Sequence, residues 1–342
     1  MTLRRNNHYI PQMYLSRWAN NGRILVYRLY ASHDKVPLWS KQSIEHTASL
    51  SNLYINVYKD EEYDTLEHDF STRFESPAKI PIDKICDGEK MTSQDWRAIC
   101  DYVVAQYVRT PAFYIWVKQW GAEHIPEQID QLGKELTEIK EFPIIKNDIR
   151  TDASLLPISA HVLDEKPDDK HTYIEISAVS GKGLWLFVIK HLLQESSVLR
   201  KHFRDLKWSV ISAPEGECWI TCDNPVVLCN INDNVIKCAT LSEGIIGREK
   251  AVIFPISPRK VLLAMHSRVY PWRFQADTIM SNMIRTAIIE NAMLYVYSNN
   301  EDKGVASIRS RTVDEQKYKR IKNDFETWFD NYKEIEGPLL NR

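Results

Sequence analysis

A histidine near the start of the chain lies in a segment whose neighbours restrict its position. His8 precedes the dipeptide Ile10-Pro11, and a residue before proline is held in extended conformations. Tyr14 and Leu15 follow as apolar anchors. Because an imidazole titrates near neutral pH, His8 could act as a general acid or base, or donate a hydrogen bond to a phosphate. A surface histidine, or one hydrogen-bonded for structural reasons, is the competing interpretation.

A second polar pair, Gln106 and Arg109, lies three residues apart in a stretch predicted to be helical. At about 100° per residue the two side chains share the edge of an apolar stripe, where the rim of a groove would lie. An arginine there can hold a phosphate or carboxylate through two parallel hydrogen bonds, and a glutamine can orient a water molecule or a base. Arg109 could instead pair with an internal carboxylate and join structural elements.

Carboxylates occur at two further places. Asp223 and Asn224 follow a predicted strand and precede a proline, a pattern typical of an ordinary turn but also able to present a metal ligand or base to a cleft. Glu67 and Glu75 lie eight residues apart on a predicted helix, about 80° around its axis. They would join one site only through both flanks of that helix, and a solvated acidic face is the alternative.

Several enzyme classes lack their motifs in this sequence. It contains no GxGxxG, GxxxxGK[ST], HExxH or GxSxG, which argues against a Rossmann dehydrogenase and a nucleotide-hydrolysing motor. The six cysteines include no CxxC pair. If Cys218 and Cys222 share one strand, they stand about 13 Å apart, too far to share a zinc ion. We therefore expect no zinc.

Charge and hydropathy limit the partners. The net charge of −2 excludes a polyanion-binding surface over the whole molecule, so contact with nucleic acid would need a local patch. One candidate patch is the segment before Asp34, although a solvated basic face is the alternative. Its charged residues are all basic: Arg4, Arg5, Arg17, Arg23 and Arg28. The longest apolar run, residues 184–189, is far too short to span a membrane, and we expect a cytoplasmic protein without membrane contact.

The periodicities predict an α+β fold in which an antiparallel sheet packs against a largely helical half. Helices are predicted at 62–76, ending at Pro77, at 92–119 with a kink at Pro111, and at 183–206. Capping boxes are expected at Thr92 with Asp95 and at Thr312 with Glu315. We expect one main domain over 1–342, a variable insertion at 120–182, and a C-terminal docking helix at 312–334.

Several fragments, taken in order, resemble the domain-of-unknown-function family numbered 4238. They are NHYIPQMYLSRWA, QYVRTP, ITCDNPV, FPISP and a closing N-x(5)-YS, from Asn291 to Tyr297 and Ser298. Together they span about residues 1–300. Cys222 and Trp18 depart from the residues usual in the family. The resemblance implies a bacterial intracellular protein of the kind often encoded among mobile elements and phage-defence genes. Its polar motif positions correspond to His8, Gln12, Gln106, Arg109, Asp223 and Asn224, with Glu67 and Glu75 less closely matched.

The leading hypothesis is a phage-defence effector that acts as a nuclease on RNA or DNA phosphodiesters. His8, Asp223 and Gln106 would be catalytic; Arg109, Gln12 and Asn224 would bind substrate. Mg²⁺ would be held by Asp223, Glu67 and Glu75. The alternatives are a non-catalytic sensor or interaction protein triggered by a phage component, and a regulator that binds a nucleotide in the same cleft.

Overall fold

The computed structural model describes residues 3–58, 61–137, 158–162, 174–232, 235–238, 250–267 and 270–336. The strands are β1 (Asn6–His8), β2 (Arg23–Arg28), β3 (Tyr30–Ala31), β4 (Trp39–Ser43), β5 (Ser49–Ser51), β6 (Asn56–Tyr58), β7 (Glu61–Tyr63), β8 (Ile158–Val162), β9 (Ile174–Ala178), β10 (Lys207–Ser212), β11 (Thr221–Cys222), β12 (Val227–Asn232), β13 (Val235–Cys238), β14 (Lys250–Ser257), β15 (Lys260–Met265), β16 (Arg273–Gln275), β17 (Tyr295–Ser298) and β18 (Thr312–Val313).

The helices are α1 (Gln12–Leu15), α2 (Thr65–Asp69), α3 (Ser76–Asp87), α4 (Ser93–Val108), α5 (Pro111–Thr137), α6 (Lys182–Leu192), α7 (Val198–Asp205), α8 (Thr278–Asn291), α9 (Lys303–Ile308), α10 (Glu315–Glu326) and α11 (Trp328–Asn331). A π-helical turn, Phe70–Glu75, joins α2 to α3. None of the helices in the described ranges combines the length and apolar character that a membrane crossing requires.

Two sheets form the β portion. The larger has six strands in the order β13-β12-β14-β15-β10-β16, with the β10–β16 pair parallel and the other pairs antiparallel. The smaller is antiparallel, in the order β11-β17-β2-β4. With several helices packed beside these sheets, the α+β prediction is confirmed.

The six-stranded sheet lies between two apolar cores, because successive side chains along a strand point to opposite faces. On one face Phe254 and Leu262 pack with residues of helices α3 to α7. On the other face Ile253 and Leu263 pack with residues of α8 and β17. Both cores thus share one sheet. The single-domain prediction and the insertion at 120–182 stay predictions, and 138–157 and 163–173 lie outside the described residues.

Two helix boundaries differ from the sequence predictions because of proline. The helix expected to end at Pro77 continues to Asp87. The wide π turn before Pro77 shifts the hydrogen-bonding pattern of the helix, so the N–H that proline lacks would have met a different carbonyl. Within that turn, the Ser76 hydroxyl donates to the Ser71 carbonyl at 2.8 Å. At Pro111 the expected kink is a complete break, and proline begins the next helix, a position where its missing N–H costs little.

Other predicted elements are also divided. The expected helix at 183–206 is two helices, α6 and α7, with Ser197 capping the second. The strand predicted before Asp223 is the short β11 of the smaller sheet, and after Pro225 the chain continues as β12 in the larger sheet. The C-terminal docking helix is α10 followed by α11, and its N-cap is Asp314, which accepts from Lys317 N at 2.8 Å. Thr312 lies in β18 instead.

The C-terminal segment, residues 327–336, is fixed to the body by three side chains. Trp328 stacks on Tyr114 with ring centroids 4.1 Å apart, and the Tyr332 hydroxyl donates to Asn56 Oδ1 at 2.6 Å. The Glu336 carboxylate accepts from Gly183 N at 2.5 Å in the first turn of α6. It occupies the N-terminus of that helix, where a negative charge is favourable.

Lys182 lies beside this carboxylate and is 2% exposed. Its ammonium donates to the carbonyls of Asn52 at 2.7 Å and Ile55 at 3.1 Å, and lies 4.7 Å from the centre of the Tyr332 ring. Burial lowers the pKa of Lys182 to about 7, and the charge of Glu336 acts in the opposite direction. The docked segment therefore supplies the counter-charge of a buried lysine.

The capping box predicted for α4 is confirmed and can be tested. Thr92 Oγ1 accepts from Asp95 N at 3.1 Å, and Asp95 Oδ2 accepts from Thr92 N at 2.8 Å. Replacing an N-cap threonine by alanine costs about 1 kcal/mol. Thr92→Ala should therefore lower the free energy of unfolding by about that amount in urea denaturation, whereas the control Thr312→Ala should leave it nearly unchanged. Equal losses in both variants would contradict the assignment.

Candidate functional site

Arg109 is buried at the C-terminal end of α4, with 1% of its surface exposed. Its Nη1 donates to Glu75 Oε1 at 2.6 Å, and its Nη2 donates to the His8 carbonyl at 2.5 Å. The guanidinium carbon lies 4.3 Å from the centre of the Phe70 ring. The guanidinium is therefore engaged by the protein itself, which corresponds to the internal ion pair considered as the alternative from the sequence.

Glu67 and Glu75 lie on the same side of Arg109 because of the π turn between them. A wide turn adds about one residue, or about 100°, to the helical phase, so two carboxylates expected on different flanks approach one guanidinium. Burial raises the pKa of Glu67, while Arg109 lowers it and Glu75 raises it. One Glu67 carboxylate oxygen, Oε2, is buried without a hydrogen-bond partner within the described parts of the chain.

The His8 imidazole contacts residues outside this ion pair. Its Nε2 lies 3.3 Å from the Ile44 carbonyl and 3.5 Å from Nε2 of the exposed Gln12. Burial lowers the pKa of His8 below its usual value, while the Ile44 carbonyl raises it and Arg109 lowers it. Only the backbone carbonyl of His8 contacts Arg109, so the structure does not form the imidazole–guanidinium contact that the sequence hypothesis requires.

Asp223 is 2% exposed and binds the backbone that leads into β17. Its Oδ1 accepts from Met293 N at 2.7 Å, and its Oδ2 accepts from Leu294 N at 2.6 Å and from Tyr295 N at 3.0 Å. Burial raises the pKa of Asp223 to about 6, and the three N–H donors act against that rise. This carboxylate fixes the course of the chain between α8 and β17.

Asn224 extends the same arrangement. Its Nδ2 donates to the Asn291 carbonyl at 3.3 Å, and Asn291 Nδ2 donates to the Asn224 carbonyl at 2.6 Å. The Thr110 hydroxyl donates to Asn224 Oδ1 at 3.4 Å. Gln106 Nε2 donates to the Tyr9 carbonyl at 2.9 Å. Thr110, next to Arg109, therefore connects the end of α4 to Asn224, and Gln106 connects α4 to the backbone beside His8.

The predicted Mg²⁺ ligands fit a metal ion poorly. The Asp223 carboxylate already accepts three backbone N–H groups, and the Arg109 guanidinium contacts Glu75. Across the ranges that the structure describes, no three histidine, cysteine or acidic side chains form a group suited to a metal. Mg²⁺ stays a prediction.

The motif residues lie behind the wall of a pocket of about 260 Å³, which we call the tyrosine pocket. Tyr9 follows His8, Pro111 follows Arg109 and Thr110, and Met293 to Tyr295 are the residues held by Asp223. The lining consists of Tyr9, Val26, Arg28, Gln42, His46, Thr47, Ala48, Ser49, Leu50, Pro111, Met293, Leu294, Tyr295, Tyr297 and Tyr318.

The electrostatics of the tyrosine pocket favour an anion. Its lining contains Arg28 and His46 but no acidic side chain. The Arg28 Nε is buried without a hydrogen-bond partner, and within the described ranges Arg28 forms no ion pair. The Tyr297 hydroxyl is buried beside that of Tyr9.

Sequence reasoning missed most of this lining. Arg28 was noted only as part of the basic N-terminal segment, and that segment does not form one basic surface. Arg5 pairs with Glu62 and Arg17 pairs with Asp83, each at 2.6 Å. Tyr297 was noted only in the closing motif. The one available signal was the unusual number of tyrosines around these motifs.

Removing the Arg109 side chain should destabilise the fold. Breaking a buried ion pair leaves its partner without compensation and typically costs 3–5 kcal/mol; because Glu75 is 20% exposed, we expect about 3 kcal/mol for Arg109→Ala. The matched control is Arg73→Ala, whose exposed pair with Asp69 should contribute about 0.5 kcal/mol or less. Urea denaturation of both variants measures the difference. A loss below about 1 kcal/mol for Arg109→Ala would show that the guanidinium is not structural.

Comparison with known proteins agrees with the motif pattern. Neither the curated proteins nor the solved structures contain a match to this chain. A family model described as "Protein of unknown function (DUF4238)" matches residues 6–302, which include every predicted site residue and all of the tyrosine pocket except Tyr318. By this match over most of its length, and by the motifs that build the pocket wall, the chain belongs to the DUF4238 family.

Proposed function

We propose that this chain is a non-catalytic binding protein whose ligand is a small molecule bearing an anionic group, held in the tyrosine pocket. One observation carries the proposal: the motif residues direct their charged groups into the protein, while the adjoining pocket is lined by Arg28 and His46 and by no acidic side chain. This corresponds to the sensor and regulator alternatives raised from the sequence.

Arg28 is the principal anion-binding group in this proposal. It lies on β2 directly opposite Tyr295 on β17, so the two side chains share one face of the sheet. A guanidinium can donate two parallel hydrogen bonds to a phosphate or carboxylate. Asp223, behind the wall, has its oxygens directed to backbone N–H groups and does not line the pocket. The anion would therefore meet a positive group without a facing carboxylate.

The motif residues support this pocket in the proposal without contacting the ligand. Arg109 holds the carbonyl of His8, next to Tyr9, and Asp223 holds the chain that leads into Tyr295. A binding site needs its contacting side chains fixed by a supporting set of hydrogen bonds. The match of these polar positions to a family pattern would then reflect the shape of a binding wall.

Binding of inorganic phosphate tests the proposal directly. Phosphate should bind the wild-type chain in isothermal titration calorimetry, and Arg28→Ala should weaken binding by about tenfold or more, since a hydrogen bond to a charged group contributes about 1.5–3 kcal/mol. The matched control is Arg23→Ala, an exposed arginine on the same strand that does not line the pocket. No phosphate binding, or equal binding by Arg28→Ala, would reject the proposal.

A nuclease of a phage-defence system is the second candidate. The observation that favours it is the His8 imidazole, whose lowered pKa makes it a neutral base at neutral pH beside the exposed Gln12 amide. Arg109 would have no part in it as a phosphate ligand. Cleavage of RNA, plasmid DNA or nucleotides, with or without Mg²⁺, that is lost in a folded His8→Ala variant would replace the binding proposal. A cytoplasmic location and a phage component as trigger remain proposals drawn from the family resemblance.

A further inference from the structure

The tyrosine pocket presents two chemically different parts. One contains the Arg28 side chain, and the other contains phenol rings from three separate segments of the chain, at Tyr9, Tyr295 and Tyr318. Burial raises the pKa of Tyr295, and three neighbours also act on it: Arg28 lowers it, whereas Asp223 and Tyr318 raise it. Arg28 and Tyr318 therefore both lie close to the Tyr295 phenol, so a ligand that contacts the guanidinium also meets aromatic surface.

The rings of β17 form one aromatic surface. Tyr295 and Tyr297 alternate along the strand, so both side chains lie on the same face, and their ring centroids are 6.4 Å apart with planes inclined by 24°. Tyr318 of α10 approaches from a different element. A planar heterocycle can stack on such rings, since every base has a π face and stacking contributes about 1–3 kcal/mol per base.

The size of the pocket limits the ligand. Its volume of about 260 Å³ lies just below the roughly 300–1,000 Å³ of sites that enclose drug-sized ligands. A single nucleotide, in which ribose joins the base to the phosphate, is an appropriate occupant, whereas a duplex is not. The Gln42 side-chain amide, which donates to Ser40 Oγ at 3.1 Å, also lines the pocket and retains its carbonyl oxygen for the edge of a base.

We propose that the ligand of the tyrosine pocket is a nucleoside monophosphate, either free or at the phosphorylated end of a single RNA strand, with its phosphate on Arg28 and its base against Tyr295 and Tyr318. This inference rests on the proposed function and adds the chemical class of the ligand. It also assigns a specificity role to Tyr318, which lies beyond the residues matched by the family model. The phosphate group is then recognised by the family region, and part of the base contact comes from the C-terminal part of the chain.

The test compares ligands that differ by one chemical feature. Calorimetry would measure binding of the four ribonucleoside monophosphates, ribose 5-phosphate and inorganic phosphate to the full chain. We expect each nucleotide to bind at least about tenfold more tightly than ribose 5-phosphate, from stacking of the base. Tyr318→Ala should reduce that ratio to below about threefold, and Tyr318→Phe should preserve it because the ring remains. Arg28→Ala should weaken all three kinds of phosphate ligand together.

A second arm distinguishes the source of the nucleotide. A single-stranded RNA tetramer would be offered with a 5′-phosphate, with a 3′-phosphate, or with neither. Tighter binding of a phosphorylated tetramer than of free nucleotides identifies a strand end, and tighter binding of free nucleotides identifies a metabolite. Both results support the proposal. The proposal would be overturned if neither the free nucleotides nor the phosphorylated tetramers bind more tightly than the unphosphorylated tetramer.

The two proposals fail in different ways. If nucleotides, ribose 5-phosphate and inorganic phosphate bind with the same affinity and all depend on Arg28, the pocket is an anion site and the inference about the base is wrong. If none of them binds, the proposed function fails as well. Since the comparison is a ratio of affinities within each variant, a general loss of stability in Tyr318→Ala does not by itself alter the result. Circular dichroism would check that each variant is folded.

Discussion

The buried ion pair between Arg109 and Glu75 is the interaction on which the arrangement of the N-terminal segment depends. A guanidinium with 1% exposure can remain charged in a protein interior only if its donors are accepted and a carboxylate is near. Glu75 and the His8 carbonyl meet these needs. The same guanidinium that joins α4 to the π turn therefore also fixes the backbone beside Tyr9. Arg109 lies at the C-terminal end of α4, shortly before Pro111. Specific hydrogen bonds therefore determine its position there.

The Asp223 group performs a comparable function with backbone donors. Three N–H groups from consecutive residues converge on one carboxylate, which is a strong and directional arrangement because each donor bonds an ionised acceptor. The Thr110 hydroxyl links Asn224, next to Asp223, to the end of α4 that carries Arg109, and Gln106 links α4 to the Tyr9 carbonyl. Residues separated by more than 200 positions in the sequence are thereby held in a common wall. Polar motif residues that would suit catalysis in an open cleft are instead buried beside the tyrosine pocket.

Local rules predicted some of this structure well. Thr92 and Asp95 form the expected capping box because such pairing depends on four consecutive residues, and alternating apolar residues indicated the antiparallel strands. The prediction that the helix ends at Pro77 was wrong because a π turn cannot be anticipated from periodicity alone. The capping box predicted at Thr312 was wrong because Thr312 pairs with Tyr30 and lies in a strand. The pairing of Arg28 with Tyr295 follows from strand register across 267 residues, which no local pattern contains. The motifs identified an important region but could not show which side of the backbone faces solvent.

The docking of Glu336 on the first turn of α6 also has a consequence for biosynthesis. Any side chain at Gly181 or Gly183 would collide with that carboxylate, so the glycines leave a recess which the distant acid fills. During translation, the first turn of α6 is synthesised about 150 residues before Glu336. Until then the exposed amides and the Lys182 charge lack that partner. A chain that ends before Glu336 would lack the carboxylate that binds the first turn of α6, and we expect proteases to degrade it more readily.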